Sequence, residues 1–169
     1  GSGKTLGYVL PILMHIQKKK VVMKSRHIQS LVLVPTRELA AQVHSVFATY
    51  VYEARLPIKT LAAFGGVSIN PQMMAMHNVS ILVATPGRLL ELISLNAVSL
   101  SSVEMLVLDE ADKMLTAGFE NEMDQIFALL PKSRQNLLFS AITCQIEELT
   151  SRRNAQSVGS AKKSVEEAF

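Results

Sequence analysis

Five short apolar runs, each closing on a Gly, Pro, Ser or acidic stretch, constrain this chain more than anything else in it. They are SLVLVPT (30–36), KTLAAFGG (59–66), SILVATP (80–86), EMLVLDE (104–110) and NLLFSAI (136–142). Their near-continuous apolarity, rich in β-branched residues, suits strands covered on both faces, as in a parallel sheet. Helical periods fill the intervals. Leu39, Val43, Val46, Phe47 and Tyr50 recur on one face, as do Phe119, Met123, Ile126 and Leu130. A first helix is expected to start at Lys4, carry Leu6, Val9, Leu10, Leu13 and Ile16 inward, and end in Lys18, Lys19 and Lys20. Cations at that end meet the negative pole of the helix dipole. The alternation predicts an α/β fold with an open, mostly parallel sheet and helices on both faces. Ligands of such sheets bind at the carboxyl ends of the strands. The stretches that close the runs are therefore where chemistry is to be sought.

Composition narrows the class. At 169 residues, 49% apolar and 18% charged, the chain has enough material for one packed domain and too little charge for a disordered one. Its formal charge of +3 permits an anionic partner without demanding one. A single cysteine, Cys144, excludes an intrachain disulfide and makes a reducing, intracellular setting the expectation. No apolar run approaches the roughly 20 residues of a membrane span, so no membrane partner is expected. The stretch 151–169 is polar and linker-like.

The opening GSGKT has the ending of a phosphate-binding loop. Gly1, Ser2 and Gly3 would let backbone amides approach phosphate oxygens, Lys4 would neutralise them, and Thr5 would offer its hydroxyl to Mg²⁺. Standing alone, the same five residues are a moderate signal, with a flexible Gly-Ser lead into a helix as the other reading. VLDEADKM (107–114) shifts the balance. An apolar strand that ends in Asp109 and Glu110 supplies the other half of a magnesium-nucleotide site: Asp109 for the metal, Glu110 to orient or deprotonate the attacking water. Two adjacent acids could otherwise be a solvated helix start. The strongly apolar strand before them and GSGKT upstream favour the catalytic reading, with Glu110, Asp109 and Lys4 as its chemical centre. Mg²⁺ and a nucleotide are the ligands this implies.

With those residues stand PTRELA (35–40), GG (65–66), TPGR (85–88), DEAD (109–112) and FSA (139–141), in that order. The set resembles the DEAD-box family of ATP-dependent RNA helicases over nearly the whole chain, which implies ATP as the nucleotide. The resemblance implies a RecA-like P-loop NTPase domain over 1–158, lacking its first, phosphate-loop strand, with 159–169 resembling the interdomain linker. It implies backbone contacts to RNA, independent of base sequence, from Pro35, Thr36, Arg37 and Glu38, from Gly65 and Gly66, and from Thr85, Pro86, Gly87 and Arg88. Glycines and helix starts do offer amides to phosphates, and arginine adds charge. Each stretch also has a local explanation: PTREL as a proline turn with a helix cap, TPGR as a turn before a helix-starting Pro. Asp112, Ser140 and Ala141 are implied to couple hydrolysis to closure against a second RecA-like domain, and the cytoplasm or nucleus is the implied compartment.

The departures matter as much. A complete loop start, the adenine-reading glutamine motif and the second domain with its arginine fingers are not in this sequence, so the chain reads as a truncated domain. The family's Ser-Ala-Thr stands here as Ser140, Ala141 and Ile142. TCQIEELT (143–150) fits the family's helix best with one residue missing after Ala141, leaving Thr143 an imperfect stand-in. The strand over 136–142 is expected to pair with 104–109 on one side only. The other class of function open to such a chain is a non-catalytic RNA- or partner-binding module. His15, His27, His44 and His77 lack metal-ligand spacing and read as local packing residues. Met73, Met74 and Met76 read as gap fillers, and Phe64 and Phe139 as core residues rather than a base-stacking platform.

Overall fold

The computed structural model describes residues 3–19 and 25–140. Within them six helices and five strands alternate: α1 (Lys4–Lys19), β1 (Ser30–Leu33), α2 (Arg37–Glu53), β2 (Thr60–Ala63), α3 (Ile69–Ala75), β3 (Ile81–Ala84), α4 (Pro86–Ser94), β4 (Met105–Asp109), α5 (Ala111–Thr116), α6 (Glu120–Leu129) and β5 (Gln135–Phe139). Every predicted strand run holds one strand. The five make a single sheet in the order β2-β3-β1-β4-β5, and every pairing is parallel. Expectations for Gly1, Ser2 and Ala141, and for the boundary at 158, lie outside the described residues.

The reason the runs are continuously apolar is visible in how their side chains divide. Leu31, Leu33, Leu82, Ala84, Leu106 and Leu108 pack with the helices that carry Leu89, Met114, Met123 and Ile126. Their neighbours Val32, Val34, Ile81, Val83, Met105 and Val107 pack on the opposite face, against Val9 and Ile12 of α1 and Val43 and Phe47 of α2. Successive residues of a strand point to opposite faces, so a sheet with two dry faces needs apolar residues at both parities. Each fully buried aliphatic side chain stabilises by about 1.5–3 kcal/mol. This is the open parallel sheet, covered on both faces, that the alternation of runs predicts.

Two expectations are corrected. α1 buries Tyr8, Val9, Ile12, Leu13 and Ile16, while Leu6 and Leu10 are exposed. Its inward face is rotated toward Tyr8 because that ring and its hydroxyl both find partners beneath the helix. Met76 is buried and Met73 packs on the core, but Met74 is 84% exposed and fills no gap.

β5 is the outer strand and, among the described residues, pairs only with β4, as expected. α1 lies over β4 and is fastened at both ends. Near its start the Tyr8 hydroxyl donates to Asp109. Near its end His15 Nε2 and Lys19 Nζ lie 2.6 and 2.9 Å from Glu104 Oε2, one residue before β4 begins. His27 contacts Ser102 and His44 contacts Thr60, so both do local packing work.

Candidate nucleotide and phosphate-backbone site

The strand order divides the carboxyl edge of the sheet into two halves. One half is β4, β5 and the start of α1. The left-handed Gly3 (φ +67°) leads directly into α1, whose first-turn amides have no partner inside the helix. Asp109 closes β4 and is 6% exposed. Its Oδ2 accepts the Tyr8 hydroxyl at 2.8 Å. Burial lifts the Asp109 carboxyl above the usual carboxylate range, and the Tyr8 hydrogen bond, the Glu110 amide and the Lys4 charge act against that rise. Burial pushes the Tyr8 hydroxyl far up, so it stays a proton donor at any working pH. The Thr5 side chain acts on that hydroxyl in the opposite direction. The Tyr8 hydroxyl thus joins the start of α1, which carries Lys4 and Thr5, to Asp109, 101 residues away in the chain. An oxygen-rich, partly desolvated cluster beside an open helix start fits a magnesium-bound polyphosphate.

Glu110 leaves the strand in a left-handed conformation (φ 52°, ψ 45°), an arrangement that costs a non-glycine residue roughly 1–3 kcal/mol. The bend separates its side chain from the line of β4 and starts α5. Its Oε2 pairs with Lys113 Nζ at 2.9 Å, on the next turn. Asp112 sits in the first turn of α5, and Ser140 Oγ donates to its Oδ1 at 2.9 Å. The end of β5 is thereby tied to the acidic stretch after β4.

The other half is made by the ends of β2, β3 and β1. Thr36 caps α2, its Oγ1 accepting the Leu39 amide at 3.2 Å. Arg37 and Glu38 project from the first turn, exposed and paired with each other at 2.7 Å. Gly66 is left-handed (φ +80°), and a side chain there would meet Arg37 Nη1 at 3.2 Å. Thr85 donates its amide to the Ala63 carbonyl and precedes Pro86, the first residue of α4. That helix start has no side-chain cap among the described residues, so the Gly87 and Arg88 amides remain available. The three stretches predicted to touch one backbone therefore share one surface.

What holds this surface lay outside the sequence reading. Gln72 of α3 is buried, and its amide grips Phe64 twice, Oε1 accepting the Phe64 amide and Nε2 donating to the Phe64 carbonyl. Arg88 is 8% exposed; its Nη2 donates to the Val67 carbonyl at 2.9 Å and its Nε to Glu91. Arg88 Nη1 is buried without a partner among the described residues. The guanidinium thus lies under the glycine turn rather than out in solvent. A polar Gln between Pro71 and the methionines of an otherwise apolar helix was the available signal for the first brace. Tyr8 was equally signalled, standing four residues after Lys4 and three after Thr5 on the same helical face.

Comparison with known proteins gives the family and the fold. The family described as DEAD/DEAH box helicase matches residues 1–149. The chain is 39% identical over 155 residues to DEAD-box ATP-dependent RNA helicase 53 of Oryza sativa subsp. japonica, covering 90% of this chain and 25% of that protein. It is 44% identical over 155 residues to the probable ATP-dependent RNA helicase ddx5 of Dictyostelium discoideum, covering 83% of this chain and 22% of the relative. The crystal structure of the yeast DEAD-box splicing factor Prp28 superposes with a TM-score of 0.79 at 32% identity, over 92% of this chain and 38% of the other. The chain spans a quarter or less of the length of these curated relatives.

Proposed function

Because this chain belongs to the DEAD/DEAH box helicase family, we propose that the protein carrying it is an ATP-dependent RNA helicase, in which this domain supplies most of the nucleotide site and half of the RNA contacts. The observation that carries the reading is the division of the sheet edge. Lys4, Thr5, Asp109 and Glu110 gather on one half, and amide-rich turns gather on the other.

In this reading Gly1, Ser2, Gly3, Lys4 and Thr5 cradle the phosphates, and Thr5 and Asp109 hold Mg²⁺. The metal, when bound, supplies positive charge that offsets the charge of the phosphates. Glu110 accepts the proton of the attacking water, or orients that water; its present partner Lys113 is one solvated side chain away and yields without a large cost. Pro35, Thr36, Arg37, Glu38, Gly65, Gly66, Thr85, Pro86, Gly87 and Arg88 form a surface for the RNA backbone. Their donors are mostly main-chain amides and read little of the bases. Asp112, Ser140 and Ala141 transmit the state of the nucleotide to a second RecA-like domain, which completes both clefts.

The test uses the full-length protein and separates binding from chemistry. Lys4→Ala should weaken ATP binding. Glu110→Gln keeps shape and polarity, so equilibrium ATP binding should persist while single-turnover hydrolysis falls by about 10²–10⁴. Hydrolysis by Glu110→Gln at the parental rate would remove Glu110 from its role. A parent that binds RNA but turns over no ATP would favour a non-catalytic binding module instead.

A further inference from the structure

Tyr8 is wholly buried, yet its hydroxyl is spent on a side-chain carboxylate rather than on a backbone carbonyl. The acceptor is Asp109, the residue to which the preceding reading gives the metal. We propose that Tyr8 is a positioning residue for magnesium binding: its hydroxyl fixes the Asp109 carboxylate in the orientation that the metal uses. This rests on the ATP-hydrolysis reading and adds to it a residue outside the sequence stretches that carry the family resemblance.

Three features of the geometry support it. The ring cannot drift, because it is held between Phe47 and Phe139 at centroid distances of 6.5 and 5.1 Å. The hydroxyl is therefore delivered to Oδ2 by a fixed lever. The donor is neutral. A lysine or arginine at the same place would also orient Asp109 but would cancel the negative charge that attracts a cation. A carboxylate has about four acceptor positions; Tyr8 occupies one and leaves capacity for a metal or its waters. Partners that orient a ligand in this way commonly matter about 10–100-fold in metal affinity.

A purely structural role would appear as lost stability without metal selectivity, and this is what the experiment separates. Tyr8→Phe keeps the ring and its two aromatic neighbours and removes only the donor. In the full-length protein, a fluorescent ATP analogue at fixed concentration is titrated with Mg²⁺, and its affinity is measured again in EDTA. The expected result is an Mg²⁺ midpoint raised about tenfold, with metal-free nucleotide affinity and circular dichroism unchanged. In an Asp109→Asn background the same change should shift the midpoint no further. A parental midpoint in Tyr8→Phe overturns the proposal, as does an equal loss of affinity with and without Mg²⁺, or a variant that no longer folds. If the unsubstituted protein binds the analogue without regard to Mg²⁺, the nucleotide reading itself falls with it.

Discussion

In the proposed function the two halves of the sheet edge solve one problem, presenting groups to phosphate, in opposite ways. Around β4 and β5 the candidate groups are side chains held by other side chains: the buried Asp109 by Tyr8, and the half-buried Asp112 by Ser140. Around β2, β3 and β1 the working groups are largely amides at turns and helix starts, with the side chains Arg37 and Glu38 exposed. The bracing there comes from below, through Gln72 and Arg88. A metal site needs directed charge, so its ligands must be oriented one by one. A surface that follows a backbone without reading bases needs only the right spacing of donors, which turns provide once they are rigid. Substitutions on the first half should therefore change selectivity, and those on the second half should change rigidity.

The largest effect expected on the second half is at Arg88. Arg88→Ala removes a buried hydrogen bond to Val67 and leaves a void under the glycine turn. Together these should cost about 2–3 kcal/mol of stability. RNA affinity should fall with it while ATP affinity stays near the parental value. Arg88→Lys should not rescue, since an ammonium cannot reproduce the planar fork that serves Val67 and Glu91 at once. Chemical denaturation beside RNA and nucleotide titrations reads all three. A full rescue by lysine would mean that charge, not bracing, is what Arg88 supplies.

A smaller effect is expected at Gly66. Its φ of +80° suits glycine, and an added Cβ would press on Arg37 Nη1. Gly66→Ala should cost about 1 kcal/mol and displace the Arg37 guanidinium. RNA affinity should drop severalfold, and Lys4-dependent ATP binding should not change. An ATP defect equal to the RNA defect would erase the proposed separation between the halves.

The same contrast explains what could be read from the sequence. The strands were legible because burial on both faces writes itself as uninterrupted apolar residues, and among the described residues β5 pairs on one side only, as expected. Candidate ligands were legible because strand ends that turn into Gly, Pro or Asp-Glu have few other uses. The braces were not. Tyr8, Gln72 and Arg88 are polar groups whose partners lie 101, 8 and 21 residues away, and only the assembled fold says which acceptor each meets. The inward face of α1 was misassigned for the same reason. Leu6 and Leu10 are as apolar as Ile12, but only Tyr8's side of the helix has a carboxylate and Phe139 beneath it.

The smallest effect expected belongs to the other end of α1, and it tests whether the helix is held by its metal-site contact or by both ends. Burial alone would raise the Glu104 carboxyl, but hydrogen bonds from His15 and Lys19 overcome it and hold Glu104 below the usual carboxylate range. A depressed acid contributes stability that is fully present above its unfolded pKa, near about 4.3, and that is lost as pH falls through the lower folded value. Glu104 and its partners are partly exposed, so solvent screening keeps the contribution to about 0.5 kcal/mol. Glu104→Gln should therefore melt about 2 °C below the parent near neutral pH, and the gap should close as pH drops below about 4. Because Glu104 is remote from Asp109, at the opposite end of β4, the Mg²⁺ midpoint of nucleotide binding should stay parental throughout. A shifted midpoint in Glu104→Gln would mean that the tilt of α1 as a whole, and not the Tyr8 hydroxyl alone, sets the orientation of Asp109.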